Sequence, residues 1–502
     1  MTVRMKNLGD LVDRSRDLDR VAVIDLGGEA PREFTHREMD RLANAVVRIL
    51  AESGLPQGAA VAVAGLNSAE YAAAYLGIMR SGRIAVPLNI KLPKDTVEFI
   101  LADANVAMAF ADSAGRSLIP TGMPVHDLST LDARGALSDP SLDSYPEFVP
   151  EPDTVAQLLY TSGSSGRPKG VPLTHRGQLW ALEMRMRTAT IETARYIIAQ
   201  PLFHMNGLFS LKTTFASNAS VVILPGFDAR TYLRALAEYR VTSATAVPTM
   251  WARALKETDL LEQLDFSAFR RLVLGSAPMT QNLLDRLSTV FPELTVVIGY
   301  GTTEAGPMVF GAHPQGKPTP HMSTGFPVPG TQLKLVGGTE DQGVLVMRNP
   351  AVMPGYRNLP EKSAEILDGG WYYSGDVFRR DKEGFYYFVE RADDMFVCAG
   401  ENIFPGEVEK LLERHPEIQQ AAVVPLPDEE RSQIPVAFLI RRPGSSPTAD
   451  DIRAFAIKGG PAYQHPRHIA FLEELPWAGT NKIDRKSLMK RAVELTASHG
   501  WD

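Results

Sequence analysis

The sequence predicts an α/β protein in which a large N-terminal domain of doubly wound βαβ sheets, with a small β unit, precedes a smaller α+β domain. Three observations predict it. Short apolar runs alternate with helix-length amphipathic segments, the rhythm of parallel strands covered by helices. Two glycine-rich stretches, 158–175 and 299–306, each begin on or just after such a run, where α/β sheets bind ligands. After Arg391 the pattern restarts, so the domains are expected at 1–391 and 392–502.

Taken in order, Thr35 and Glu38 supply a capping box for a helix whose apolar positions Met39, Leu42, Val46 and Ile49 recur at helical spacing until Gly54. A strand at 60–64 follows. Asn67 or Ser68 then caps a helix over 70–80 that Gly82 ends before a strand at 84–88. A helix near 96–102 and a strand at 107–111 continue the rhythm. Residues 139–153 hold four prolines and five acids without periodicity and read as a surface connection. Apolar runs at 196–199, 221–224, 241–247, 271–274 and 296–298 make a second α/β half, and 333–336 with 344–347 make the small β unit. Beyond Arg391, Pro405 starts a helix with Val408, Leu411 and Leu412 on one face, strands are expected at 421–424 and 436–440, and a helix at 450–456.

Composition narrows the function. The 502 residues are 44% hydrophobic, enough to bury large cores in two or more domains. A net charge of −7, with 52 basic residues scattered among 59 acidic ones, leaves no basic stripe, so no nucleic-acid partner is expected. The first residues carry acids and no continuous apolar core, and no run approaches a membrane span, so neither a leader nor integral membrane association is expected. The single cysteine, Cys398, excludes an intrachain disulfide and a cysteine metal cluster and suits a cytoplasmic location. Oligomeric state stays open.

The chemistry concentrates in three stretches. In LLYTSGSSGRPKGVPLTH, Gly163, Gly166 and Gly170 allow close backbone approach to an anion, Thr161, Ser162, Ser164 and Ser165 offer hydroxyls, and Lys169 offers a mobile charge. Pro168 removes an amide donor, so the loop's second half is a stiff turn and not the helix start of the common NTPase loop. In GYGTTEAG, Tyr300 can lie against a base, Thr302 and Thr303 can donate to phosphate, and Glu304 offers a hard oxygen for Mg²⁺. Further on, Asp376, placed after Gly375 on a turn, can accept from ribose hydroxyls, and Arg391 can reach the same sugar.

Together these stretches resemble the acyl-adenylate-forming superfamily of acyl- and aryl-CoA ligases, peptide-synthetase adenylation domains and firefly luciferase, from about Thr35 to Lys486. The resemblance implies a nucleotide site of Thr161, Ser162, Gly163, Ser164, Ser165, Gly166 and Lys169, with Gly275, Ser276, Ala277 and Pro278 as an adenine-side wall. Gly299, Tyr300, Gly301, Thr302 and Thr303 complete it, Tyr300 flanking adenine and Thr303 at the α-phosphate, while Asp376 and Arg391 hold the ribose. It makes Glu304 the Mg²⁺ ligand, Asp393 the hinge of a mobile smaller domain, and Gly400 and Glu401 part of a loop reaching the CoA thiol channel. Lys482 would enter the nucleotide site during adenylation; with Lys169, Thr161 and Glu304 it forms the implied catalytic set. His204 would cap an acyl pocket lined by Met205, Phe209, Met250, Gly275, Gly299, Gly301 and Met308. Two departures are Asn481, where Gly is frequent, and Ser432, where many members have Gly near the thiol substrate.

The activity so implied is a two-step ATP-dependent acid:CoA ligation that forms an acyl-adenylate, releases pyrophosphate, and then transfers the acyl group to CoA. No protein nucleophile is needed. A pocket without Arg or Lys points to a monocarboxylate, aromatic or phenylpropenoid ahead of a medium-chain fatty acid. Two alternatives stand beside it: an adenylating enzyme that loads a carrier protein, and a non-catalytic nucleotide-binding regulator.

Overall fold

A computed structural model describes residues 5–132, 135–161, 167–187, 193–277, 279–398, 401–428, 431–460, 464–478, 482–498 and 500–501, with backbone alone at 393, 397, 401, 402, 432, 478 and 482. Two sheets frame the large domain. The first has six strands in the order Val125–Asp127, Val106–Ala111, Ala60–Ala64, Ile84–Leu88, Val155–Thr161 and Lys169–Thr174, all parallel except the last pair. The second runs Thr295–Ile298, Arg271–Leu274, Ser243–Ala246, Arg195–Ile198, Ser220–Ile223, Val21–Asp25 and Arg32–Thr35, again parallel until its final hairpin.

The helices between the sheets explain why they stay together. One apolar cluster joins Val61, Val63 and Leu159 of the first sheet to Val23, Tyr196 and Val221 of the second through Leu42, Tyr75, Leu182 and Leu211. Thr35 caps the helix His36–Glu52 in the expected box, and Ser68 caps Ala69–Arg80. These two helices touch closely at Gly77, where a Cβ would stand 2.6 Å from the Ala43 carbonyl oxygen. A separate cluster, with Trp251 stacked on Phe269, fills the other face of the seven-stranded sheet.

The expected strands at 60–64, 84–88 and 271–274 end where expected, and 107–111 gains one residue at its start. Strands at 421–424 and 436–440 are the middles of Ile418–Asp428 and Ser432–Arg441. The segment 139–153 lies on the surface but is tied down: Asn44 donates to the Leu142 carbonyl at 2.7 Å and Arg41 pairs with Asp143 at 2.7 Å. Two features escape the sequence reading. One is the opening hairpin Val21–Asp25 and Arg32–Thr35; the other is the pairing of Trp371–Arg380 with Tyr386–Arg391 inside a five-stranded antiparallel sheet, the small β unit. The second corrects the placement of Asp376, which lies within a strand and is buried, with Gly375 at φ +70 at an irregularity of the pairing with Gln342–Arg348.

The smaller domain packs its own core around Val408, Leu412, Val423, Phe438 and Leu488, from the helix Pro405–Glu413, the paired strands and the helix Arg485–Ser498. Among the described residues no helix is long and apolar enough to cross a membrane.

Candidate functional site

Thr161 ends one strand of the six-stranded sheet and Lys169 begins the next, directly opposite it in register. Thr161 and Lys169 therefore face each other at one end of an antiparallel edge pair. Ser162, Gly163, Ser164, Ser165 and Gly166 lie outside the described residues. The Thr161 hydroxyl is buried and has no hydrogen-bond partner among the described residues, so its donor is available to an incoming acceptor.

On the neighbouring sheet, the strands Arg271–Leu274 and Thr295–Ile298 run parallel and end side by side. The turns that follow them touch because both begin with glycine: a Cβ on Gly275 would sit 2.7 Å from the Gly299 carbonyl oxygen. Ser276, at φ +65, turns its chain sharply, Ala277 is half-buried, and Pro278 lies outside the described residues. The stretch after Gly299 closes on itself: the Thr302 amide donates to the Gly306 carbonyl at 3.1 Å, and the Thr302 hydroxyl accepts from the Ala305 amide at 2.9 Å. Gly301 sits against this turn, and Thr303 is half-buried beside it.

Two clusters form where these elements meet. In the first, Tyr300 is wedged edge-on against Phe378 at 4.7 Å, and its hydroxyl donates to Asp376 Oδ2 at 2.5 Å. Arg391, opposite Asp376 in register, donates to Oδ1 at 3.0 Å. Burial, with the Asp376 charge behind it, pushes the Tyr300 phenol well above its ordinary pKa, so the hydroxyl stays protonated and donates.

In the second cluster, Lys169 Nζ donates to the Tyr356 hydroxyl at 3.1 Å, and that hydroxyl donates to Glu304 Oε1 at 2.9 Å. The ammonium also lies 4.3 Å from the centre of the Tyr356 ring. Neighbouring backbone ties the parts together: the Met353 amide donates to the Glu304 carbonyl at 2.7 Å, and the Arg357 amide donates to the Gly170 carbonyl at 2.8 Å. Tyr356 escaped the sequence reading. The string Pro354 to Pro360 signals a turn, but no pattern marks its tyrosine.

Other expected residues are less closely joined. His204 stands at the start of the helix Met205–Ala216 beside Phe203, with ring centres 4.5 Å apart. Its surface is open, yet the protein around it lowers the imidazole pKa by desolvation, as in a cleft mouth. Met205 and Phe209 pack against the core between the sheets, whereas Met250 is buried in the other core; Met308 is half-buried. Asp393 lies in the turn Ala392–Asp394, between a strand of the large domain and Phe396–Cys398 of the smaller one. Glu401 begins Glu401–Ile403 and Lys482 begins Lys482–Ile483, both seen as backbone, as is Ser432; Gly400 and Asn481 lie outside the described residues.

Among the described residues, no group of three or more His, Cys, Asp or Glu could form an all-protein metal cage. Glu304 still fits Mg²⁺: it is a half-buried carboxylate beside an expected phosphate site, and Mg²⁺ commonly takes one or two carboxylates together with substrate phosphates and water.

The family model described as "AMP-binding enzyme" matches residues 13–357, and that described as "AMP-binding enzyme C-terminal domain" matches residues 407–482. A protein of an Amycolatopsis species named feruloyl-CoA synthase is 30% identical over 508 residues, covering 97% of this chain and 100% of that protein. A fatty acid–[acyl-carrier-protein] ligase, ScoC, of Streptomyces coeruleorubidus is 30% identical over 482 residues, covering 92% of each. Among solved structures, the anthranilate CoA ligase AuaEII in complex with anthranoyl-AMP has a TM-score of 0.86 to this chain at 28% identity, covering 98% of each.

Proposed function

Because the chain belongs to the AMP-binding enzyme family, we propose that it is an ATP-dependent acid:CoA ligase that forms an acyl-adenylate and passes the acyl group to CoA. The observation that carries this reading is the convergence of Lys169, at the start of a strand of one sheet, and Glu304, in the turn after a strand of the other, on one tyrosine hydroxyl. A phosphate-binding cation and a hard metal-binding oxygen are thereby held at one spot, as adenylation requires.

In this reading the acid's carboxylate attacks the α-phosphate of ATP and pyrophosphate leaves. Lys169 and the Thr161 hydroxyl bind phosphate oxygens, and Lys482 adds a second cation from the smaller domain. Glu304 would hold Mg²⁺, which neutralises phosphate charge when bound. Tyr300 and Arg391 grip the two oxygens of Asp376 and fix the carboxylate that receives the ribose hydroxyls. The boundary is placed at Arg391, with Asp393 as the pivot and the loop around Gly400 and Glu401 serving the CoA thiol. The single cysteine suits a reducing compartment, and the cytoplasm is the proposed location.

For the acid we favour a monocarboxylate, because the expected lining of His204, Met205, Phe209, Met250 and Met308 holds no Arg or Lys to pair a second buried carboxylate. Aromatic or phenylpropenoid acids rank ahead of medium-chain fatty acids, and the Amycolatopsis relative's name supports that order. The ScoC relative supports a second reading, in which a carrier-protein thiol replaces CoA. A panel of benzoate- and cinnamate-type acids, medium-chain fatty acids and malonate, assayed for AMP release with and without CoA, tests all of this. Acid-dependent pyrophosphate exchange without CoA-dependent thioester would move the assignment to the carrier-protein reading. Malonate as the best substrate would overturn the pocket argument, and no exchange with any acid would overturn the ligase reading.

A further inference from the structure

We propose that Tyr356 is a positioning residue, a spacer that holds Lys169 and Glu304 close while preventing them from pairing, and so sets the site's affinity for Mg²⁺-bound ATP. This rests on Glu304 being the metal ligand. The hydrogen-bond polarity is fixed by chemistry: an ammonium only donates and a carboxylate only accepts, so the one hydroxyl between them must accept from Lys169 and donate to Glu304.

The spacer matters because lysine and glutamate at this separation attract, and the flexible lysine stem could close the gap. A direct pair would consume a carboxylate oxygen that Mg²⁺ needs and an ammonium hydrogen that a phosphate oxygen needs. It would also cancel the two charges that bind a metal–triphosphate. Among the described residues, with Tyr356 between them, Glu304 Oε2 and two of the three Lys169 hydrogens meet no other hydrogen-bond partner.

The surrounding chain holds the hydroxyl still. The Tyr356 amide donates to Ser363 Oγ at 2.8 Å, Arg357 Nε donates to the Asp103 carbonyl at 2.6 Å, and Asn358 Nδ2 donates to Asp103 Oδ1 at 3.0 Å. Gly355 at φ +145 and Asn358 at φ +54 bracket the tyrosine, positive-φ conformations that glycine and asparagine accept and that turn the chain on either side of it. The segment is thus anchored to the six-stranded sheet through Gly170, to the end of the helix Lys94–Asp103 through Asp103, and to the turn after Ile298 through Glu304.

Tyr356→Phe keeps the ring beneath Lys169 and removes only the hydroxyl. Calorimetric titration without acid or CoA should show MgATP binding weakened about 10- to 100-fold, the usual effect of removing a partner that orients a metal ligand, with AMP binding and the melting curve unchanged. Equal weakening of AMP and MgATP would mean a merely structural role and overturn the proposal, as would unchanged MgATP binding. In a Glu304→Gln background, where no ion pair can form, adding Tyr356→Phe should cost nothing more; a further loss would also overturn it. Glu304→Gln alone separates two failures. Unaltered MgATP binding there removes the ligand reading and the spacer with it, whereas weakened binding there with no effect of Tyr356→Phe removes the spacer alone.

Discussion

At the scale of single residues, the site divides charges by what each must meet. Asp376 is buried and offers both carboxylate oxygens to fixed donors, Tyr300 and Arg391, so its orientation is set in advance of the ribose contact proposed for it. Lys482 belongs to the other kind, a cation that the proposed mechanism brings in for one step. Lys482→Ala should therefore abolish acid-dependent pyrophosphate exchange while sparing thioester formation from supplied acyl-adenylate. Equal loss in both assays would remove that assignment. Residues of this kind were legible because their motifs are strings: Lys169, Glu304, Asp376 and Arg391 each sit in a run of glycines, hydroxyls and charges that few other structures need. Tyr356 was not legible, because its proposed role arises only when a strand end of one sheet and a turn of the other converge on its hydroxyl, and no local periodicity records such a meeting.

At the scale of elements, buried parallel strands announced themselves as continuous apolar runs bounded by glycine or proline, which is why 60–64, 84–88 and 271–274 fall in place. Trp371–Arg380 did not, since a glycine irregularity and a buried aspartate break its alternation of buried and exposed positions. The opening hairpin was missed for another reason: Val21–Asp25 pairs with Ser220–Ile223, about two hundred residues away, and nothing local prefigures that partner. Where strands end, glycine lets their turns meet, and this gives a direct test. Gly275→Ala puts a methyl 2.7 Å from a backbone oxygen that cannot rotate away, so the two turns proposed to flank the nucleotide must part. We expect AMP affinity to fall at least tenfold, roughly the effect of 1.4 kcal/mol, measured by calorimetry. Gly226→Ala, which meets nothing within 4 Å and needs no left-handed backbone, is the control and should bind AMP as the parent does.

At the scale of the whole molecule, buried titratable groups set the response to pH and the link between the domains sets the response to restraint. His36 and His175 are buried neutral in the large domain: His36 Nε2 faces the Ala219 carbonyl at 3.1 Å, so it carries the proton, and His175 Nδ1 accepts from the Leu8 amide at 2.9 Å. Burial lowers both to about 4 from 6.5, so the unfolded chain binds protons more readily. Their contribution is whole above pH 6.5 and is lost as pH falls toward 4, on the order of 3 kcal/mol each at the limit. Glu390, pushed up to about 8 by burial, has the opposite sign, its contribution fading as pH rises from 4.5 through 8. The melting temperature should therefore peak near pH 6.5 and fall on either side, and His36→Gln with His175→Gln should remove the fall on the acid side alone. Glu390 also marks where the domains meet, since its Oε2 accepts from the Gly406 amide at 2.9 Å, at the start of the smaller domain's first helix. The proposed reaction needs a second domain arrangement after the adenylate forms, and the turn Ala392–Asp394 is the short link that would absorb the change. Asp393→Pro fixes φ at 393 and restricts Ala392, so two consecutive residues lose the freedom a pivot requires. Adenylation precedes the rotation and should survive, measured by pyrophosphate exchange, while thioester formation from the same enzyme should fail. A variant that makes thioester at the parent rate would move the pivot elsewhere in the link.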